Sequence, residues 1–209
     1  MQKPIPPRVQ TAIENLRRNN MGGYFVSDRT ELLGLITTLL RPGERVGCGD
    51  SLTLEQTGVL AFLRAGDYVF LDKHRPGLTK AEKRAIYLAN LDADTFFTGV
   101  NAVTCDGRLF NIDGNGSRVA PMLYGPRQVL VVAGVNKLCD ILEAAITRTR
   151  QIAAPQDAKR LGKQTPCAKL GRCIDCHHDQ RICNAFVLIA RQFVAERIKV
   201  IFIDETLGF

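Results

Sequence analysis

Apolar and polar positions along the chain follow two periods in turn. From Pro7 to Asn20 the apolar residues Val9, Ile13 and Leu16 recur at helical spacing, which predicts an amphipathic helix. Tyr24-Phe25-Val26 then predicts a short strand, ended by Ser27. Asp28 offers an N-cap with Glu31 three residues on, so a helix is expected through Leu40, where Arg41-Pro42-Gly43 stops it. Glu44 to Gly47 is the next expected strand, Ser51 to Arg64 the next helix, and Asp67 to Leu71 a third strand suited to a buried parallel position. Thr79 and Glu82 repeat the capping pattern and start a helix ending near Leu91. Such alternation predicts an α/β fold with a mostly parallel sheet wrapped by helices.

The middle of the chain departs from this rhythm. Thr95 to Gly99 is strand-like, and Val100 to Ile112 holds Cys105-Asp106-Gly107-Arg108 between apolar runs. Asp-Gly suits a two-residue hairpin turn in which both central residues take positive φ, so an antiparallel hairpin is expected inside the parallel architecture. Asp113 to Ser117 reads as a loop, Arg118 to Leu123 as a short helix, Gln128 to Ala133 as a buried strand, and Leu138 to Arg150 as a helix containing Cys139. Ala185 to Ile189 follows the cysteine-rich segment, and Lys199 to Ile203 closes the pattern as a strand. The organisation expected is one α/β domain over residues 1–209, with 151–184 as a Cys-rich insertion loop.

Composition narrows the class. The chain has 209 residues, 45% hydrophobic and 23% charged, which argues against disorder across its length. No apolar run approaches the roughly 18–20 residues of a membrane span, and MQKPIPPRVQ lacks the apolar core of a secretory leader. A cytoplasmic protein without membrane partners is expected. In that reducing setting, seven cysteines point to ligands or buried thiols rather than a disulfide framework. The net charge of +7 concentrates between Thr147 and Lys199, where 11 Lys and Arg face 4 Asp and Glu. No groove-reading motif and few aromatics accompany this excess, which argues against nucleic acid as its partner.

The same basic segment holds Cys167, Cys173, Cys176 and Cys183, four thiols within 17 residues. Gly162, Pro166 and Gly171 surround them and let the backbone fold back on itself. A Cys-x2-Cys pair chelates one metal in a turn, and two further sulfurs complete a tetrahedral or cluster site. All-sulfur ligation suits a [4Fe–4S] cluster or zinc and excludes Mg²⁺ and Ca²⁺. The single Cys-x2-Cys pair favours iron–sulfur over the paired knuckles usual for zinc, with redox disulfides and buried thiols as further alternatives. Adjacent Lys and Arg would stabilise an anionic thiolate centre.

Two further loops carry polar groups suited to a small anionic ligand. Gly47 and Gly49 frame Cys48 before Asp50, Ser51 and Thr53, where glycines permit a tight turn and Ser51 can cap the following helix. Asn101, Asp113, Asn115 and Arg118 cluster around the hairpin, with Arg118 able to meet either an anion or Asp113. His74 sits between Lys73 and Arg75 in a Pro-Gly loop and is expected to be exposed, so a general base would be a carboxylate: Asp50, Glu55 or Asp113.

Gly47 through Glu55, Thr98 through Thr104, Asp106 through Ala120, Val131 through Lys137, Ala153-Ala154-Pro155 and Thr165 through Asn184 together resemble the lactate-utilisation (LUD) domain family. Within that family the chain is similar to a short, stand-alone branch with the Cys-x5-Cys-x2-Cys-x6-Cys tail. The resemblance implies a Rossmann-like fold of the sugar-phosphate isomerase and CoA-transferase type, compatible with a homodimer. It also implies a link to oxidation of lactate or a similar hydroxy acid, alongside iron–sulfur or redox partner proteins. The alternative is a stand-alone isomerase- or transferase-like protein for a phosphorylated or CoA-linked ligand, with structural zinc.

Overall fold

The computed structural model describes residues 3–209; Met1 and Gln2, part of the opening stretch examined for a leader, lie outside the described residues. The chain begins with helix α1 (Pro7–Arg18), strand β1 (Gly22–Val26), α2 (Arg29–Leu39), β2 (Arg45–Cys48), α3 (Leu52–Gln56), α4 (Val59–Ala65) and β3 (Val69–Phe70). It continues through α5 (Lys80–Ala89), β4 (Thr95–Thr98), β5 (Ala102–Thr104), β6 (Leu109–Asp113), α6 (Val119–Leu123) and β7 (Gln128–Gly134). It closes with β8 (Leu138–Cys139), α7 (Leu142–Arg148), α8 (Ala154–Arg160), α9 (Pro166–Leu170), β9 (Ala185–Ile189) and β10 (Ile198–Ile203).

Six strands pair in parallel in the order β1-β10-β7-β4-β2-β3. Period-2 alternation divides their side chains between two cores. Val129, Val131 and Ala133 of β7 and Val200 and Phe202 of β10 face α1, whose Val9, Ala12, Ile13 and Leu16 form the facing stripe. Leu130, Val132, Ile201 and Ile203 face the opposite layer, built from Leu32 and Ile36 of α2 and Leu54, Val59 and Leu63 of α3 and α4. Both faces of the central strands are dry, which is why β7 reads as a continuous apolar run.

The second sheet, β8-β5-β6-β9, is mixed: β5 pairs in parallel with β8, while β6 is antiparallel to both β5 and β9. Its Val103, Leu109 and Ile189 join the α1-side core, and its other face packs Ala102, Phe110 and Ile112 against Ala145 of α7. The expected antiparallel hairpin is present as β5 and β6, and it belongs to a separate sheet laid over the parallel one.

The caps at Asp28 and Thr79 form as expected. Glu31 N–H donates to Asp28 Oδ1 at 2.9 Å, and Thr79 and Glu82 make both halves of a capping box. Several boundaries are corrected by tertiary context. The helix expected over Ser51–Arg64 is two helices, because Gly58 adopts φ 78° between them. The third strand is a two-residue edge strand with Val69 exposed, since nothing pairs beyond it. At the hairpin only Gly107 takes positive φ; Gly107 N–H donates to Thr104 O and Thr104 N–H to Arg108 O, a three-residue loop with a left-handed glycine. The helix expected from Leu138 starts at Leu142, because Leu138–Cys139 is drawn into the second sheet, which places Cys139 in a strand. That helix runs on through a π-helical turn, Thr149–Ala153, into α8, so much of 151–184 is helical; irregular paths hold from Leu161 to Thr165 and from Gly171 to Asn184.

Candidate functional site

Strands β2, β4 and β7 all end on the same edge of the parallel sheet, and the segments after them open around a cavity of about 650 Å³. Open α/β sheets offer ligands this position, beyond the carboxyl ends of their strands. The segment after β2 contributes Asp50, Ser51 and Thr53; that after β4, Gly99 to Asn101; that after β7, Lys137. The end of β6 and the following turn add Asp113, Asn115 and Arg118. The loop after β3 adds Lys73 and His74, and α8 adds Asp157 and Arg160.

The cavity therefore gathers most of the residues singled out in the two polar loops, in distinct roles. Asp113 accepts from the amides of Asn115 and Gly116 and pairs with Arg118 at 3.5 Å, which shapes the turn. The Arg118 guanidinium donates to Asn111 Oδ1 at 2.6 Å, Ile112 O at 2.8 Å and Asn101 Oδ1 at 3.1 Å. Its donors are spent on the protein, so it frames the wall rather than offering a free fork. Asn101 Oδ1 also accepts from Ile112 N–H, locking the second sheet to that wall. Ser51 Oγ accepts from Leu54 N–H as the cap of α3.

Gly47 and Gly49 stand outside the cavity lining, and neither displays a free amide loop there. A Cβ on Gly47 would lie 2.3 Å from Asn90 Oδ1, and one on Gly49 2.8 Å from Arg118 Cγ. Gly49 N–H is committed to Phe97 O. These glycines admit neighbouring side chains; they do not form an anion cradle. Cys48 is fully buried in the core, where burial pushes its thiol up to about 12.

Asp50 and Glu55 come together with His74: their donor atoms all lie within 4.8 Å of one another. Against expectation His74 is half-buried, and its Nε2 is buried without a hydrogen-bond partner. The bidentate Arg64–Asp72 pair supports its loop, since Asp72 also accepts from His74 N–H. Burial and the neighbouring Lys73 lower the His74 pKa. Burial pushes the Asp50 carboxyl up, but Lys73, Arg160 and His74 together hold it below the usual carboxylate range. Arg160 bridges Asp50 at 2.7 Å and Asp157 at 2.8 Å. These cations oppose a metal ion at the trio and leave Asp50 an ionised, weak base.

Two lysines give the cavity its character. Lys73 and Lys137 are both buried, and among the described residues neither has a carboxylate within 4.0 Å. Lys73 Nζ lies 5.6 Å from the centroid of the Tyr87 ring. Lys137 Nζ donates to Val100 O at 3.2 Å, and burial, with Arg148 and Arg118, pushes its pKa down to about 7. Thr53 Oγ1 is buried without a partner on the same wall. Buried polar groups left short of partners are what a small anion would satisfy. Neither lysine stood out in the sequence, because the burial of each is set by segments distant in the chain.

The four cysteines line a second, smaller cavity together with Thr165, Ile174 and Phe186. Cys167 is held by α9, Cys183 precedes β9, and Cys173 and Cys176 lie on the irregular path between them. Thr165 Oγ1 lies 3.3 Å from Cys167 Sγ, while Cys173 Sγ receives Asp175 N–H at 3.4 Å and Arg150 Nη2 at 3.8 Å. Burial, reinforced by the other three cysteines, pushes the Cys183 thiol up to about 11. Among the described residues the sulfurs form no trio within 4.8 Å of one another. Four cysteine sulfurs on one small cavity are a donor set that suits either a [4Fe–4S] cluster or a structural zinc. His177 and His178, adjacent to Cys176, do not line this cavity. Arg181, Ile182 and Cys183 line both cavities, forming a common wall.

An all-parallel sheet, a mixed sheet laid over it and a cationic crevice at the strand ends define a Rossmann-like α/β protein. The LUD domain model matches residues 9–203, and the chain belongs to the LUD domain family. A crystal structure of a DUF162 family protein from Deinococcus radiodurans has the same fold, with a TM-score of 0.53 at 17% identity over 96% of this chain and 99% of that one. A structure of eIF2B beta from Chaetomium thermophilum gives a TM-score of 0.35 at 18% identity over 54% of this chain and 43% of that one, a partial likeness only. No curated protein sequence matches the chain. Among the described residues, no helix is long and apolar enough to cross a membrane.

Proposed function

We propose that this LUD domain protein binds a small carboxylic acid, lactate or a related 2-hydroxy acid, and serves as a cytoplasmic redox subunit or accessory factor for its oxidation. The observation that carries this reading is the wall shared by the two cavities: Cys183 borders the cationic crevice and the cysteine cavity alike. Cys167, Cys173, Cys176 and Cys183 would hold a [4Fe–4S] cluster, whose chemistry is one-electron transfer. Arg150 and the Asp175 amide, already directed at Cys173 Sγ, would stabilise the thiolate charge of that centre. In the crevice, Lys73 supplies positive charge for a carboxylate, and the Lys137 amine, Asp50, His74 and Thr53 supply polar contacts for the rest of the acid.

The test is anaerobic purification with metal analysis and a visible spectrum, followed by thermal shifts with lactate, sugar phosphates and CoA. The expected sample is brown, bleaches with dithionite and is stabilised by the hydroxy acid. A colourless protein with one zinc per chain would overturn the redox reading. One observation favours a second reading, a phosphorylated or CoA-linked ligand with structural zinc. Lys83, Lys163 and Arg181 add further positive charge to a crevice larger than a three-carbon acid fills. Stabilisation by sugar phosphate or CoA, and not by lactate, would select it.

A further inference from the structure

We propose that Lys137 captures carbonyl compounds: its Nζ condenses with the carbonyl carbon of a small 2-oxo acid in the crevice to form an imine. The proposal rests on the reading of the crevice as a carboxylic-acid site and adds to it a covalent step and a nucleophile.

The position of Lys137 carries the inference. It lies in the short 3₁₀ turn Val135–Lys137 that ends β7, in the interior of the parallel sheet, and it is 5% exposed. Its Nζ donates to Val100 O at 3.2 Å, a contact that orients the amine from one side. Gly208 packs against both groups, since a side-chain carbon there would lie 3.1 Å from Lys137 Nζ and 2.7 Å from Thr53 Oγ1, and both residues line the crevice, so the amine and the unpartnered hydroxyl share one stretch of its wall. After burial, the charged groups that act on the amine most are cations, Arg148 and Arg118, with Asp157 opposing them more weakly. An amine so desolvated and surrounded by positive charge loses its proton near neutrality, the condition under which a lysine acts as a nucleophile.

Lys73 makes the contrast. Burial lowers its pKa as well, but Asp50 and the Tyr87 ring face pull it back toward the ammonium form, an opposition that Lys137 meets only from the weaker Asp157. It is an anchor for the carboxylate, whereas Lys137 is the nucleophile. The step balances without an oxidant. The amine lone pair forms the C–N bond, the carbonyl oxygen takes up the two protons that the amine nitrogen gives up and leaves as water, and the redox state of carbon is unchanged. Thr53 Oγ1 is the hydroxyl available to the departing oxygen.

The experiment incubates the full chain with pyruvate and sodium cyanoborohydride, then maps the reduced adduct by peptide mass spectrometry. Lactate, which has no carbonyl, is the control, and a thermal shift with pyruvate is recorded in parallel. The expected result is one adduct, on Lys137, absent with lactate and absent in Lys137→Met and Lys137→Arg. Trapping in the unmutated chain is expected to fall at least tenfold under excess lactate, a readout that does not depend on either variant folding. Saturable stabilisation by pyruvate with no adduct, or adducts spread over exposed lysines, would overturn imine formation and leave the crevice reading standing. Neither stabilisation nor adduct with any carboxylic acid would remove both.

Discussion

Lys137 weakens the fold it sits in. Its pKa is about 7, against an ordinary 10.5, with Arg148, Arg118 and Asp157 as the charged groups around it. Between those two values the unfolded chain binds a proton that the folded chain does not. Stability therefore rises with pH through that window, and the penalty is complete below about pH 7. At 1.36 kcal/mol per pKa unit the penalty is on the order of 5 kcal/mol. Lys137→Met is expected to be more stable than the parent by roughly 3–5 kcal/mol at pH 6, with the advantage shrinking toward pH 10. Urea denaturation across that range checks it; a difference independent of pH would contradict the assignment. Arg118 predicts the opposite sign. Arg118→Ala would leave Asn111 Oδ1 without a donor and the buried Asp113 carboxylate without its cation, and is expected to cost on the order of 3–5 kcal/mol, read from the same denaturation midpoints.

Among the elements, the β5–β6 hairpin joins the second sheet to α1. Asn15 Nδ2 donates to Cys105 O, and Asn19 Nδ2 donates to Asp106 O and Gly107 O, so the turn docks on the C-terminal end of the helix. Gly107 makes that docking feasible twice over, through its φ of 78° and through the absence of a Cβ that would lie 2.5 Å from the Leu16 nitrogen. Gly107→Ala is expected to destabilise by about 2 kcal/mol or more, whereas Gly77→Ala, with a similar φ but open space around it, loses only the backbone part. Equal losses at the two positions, measured by thermal unfolding, would show that the close approach to α1 contributes nothing.

For the whole molecule, the question is how the cysteine segment is held. From Gly171 to Asn184 the backbone makes few regular hydrogen bonds, and Leu170, Ile174 and Phe186 are exposed around it. Little apolar burial anchors this stretch, while both faces of the parallel sheet are fully packed without it. If the four sulfurs share a centre, removing the metal by chelation under reducing conditions is expected to open Gly171–Asn184 to limited proteolysis. The fragment carrying the sheet would stay folded by circular dichroism. Protease resistance unchanged after verified metal loss would show that side-chain contacts alone hold the segment.

Local chemistry and periodicity were enough to read the α/β alternation, the caps at Asp28 and Thr79, the buried run of β7 and the four cysteines as a set. Each of these is written in neighbouring residues: a cap needs three positions, a strand two faces, a chelating pair two cysteines and a turn. What tertiary structure decided was everything that depends on distant segments meeting. It moved Leu138 and Cys139 from a helix to a strand because an edge of β5 was free to pair, and it reduced β3 to an edge. It turned Gly47 and Gly49 from a supposed cradle into clearance for Asn90 and Arg118. It also brought Lys73, Lys137 and Arg160 to one crevice from three separate elements. Burial of a charge leaves no trace in the residues beside it, because desolvation is set by atoms contributed from elsewhere in the chain.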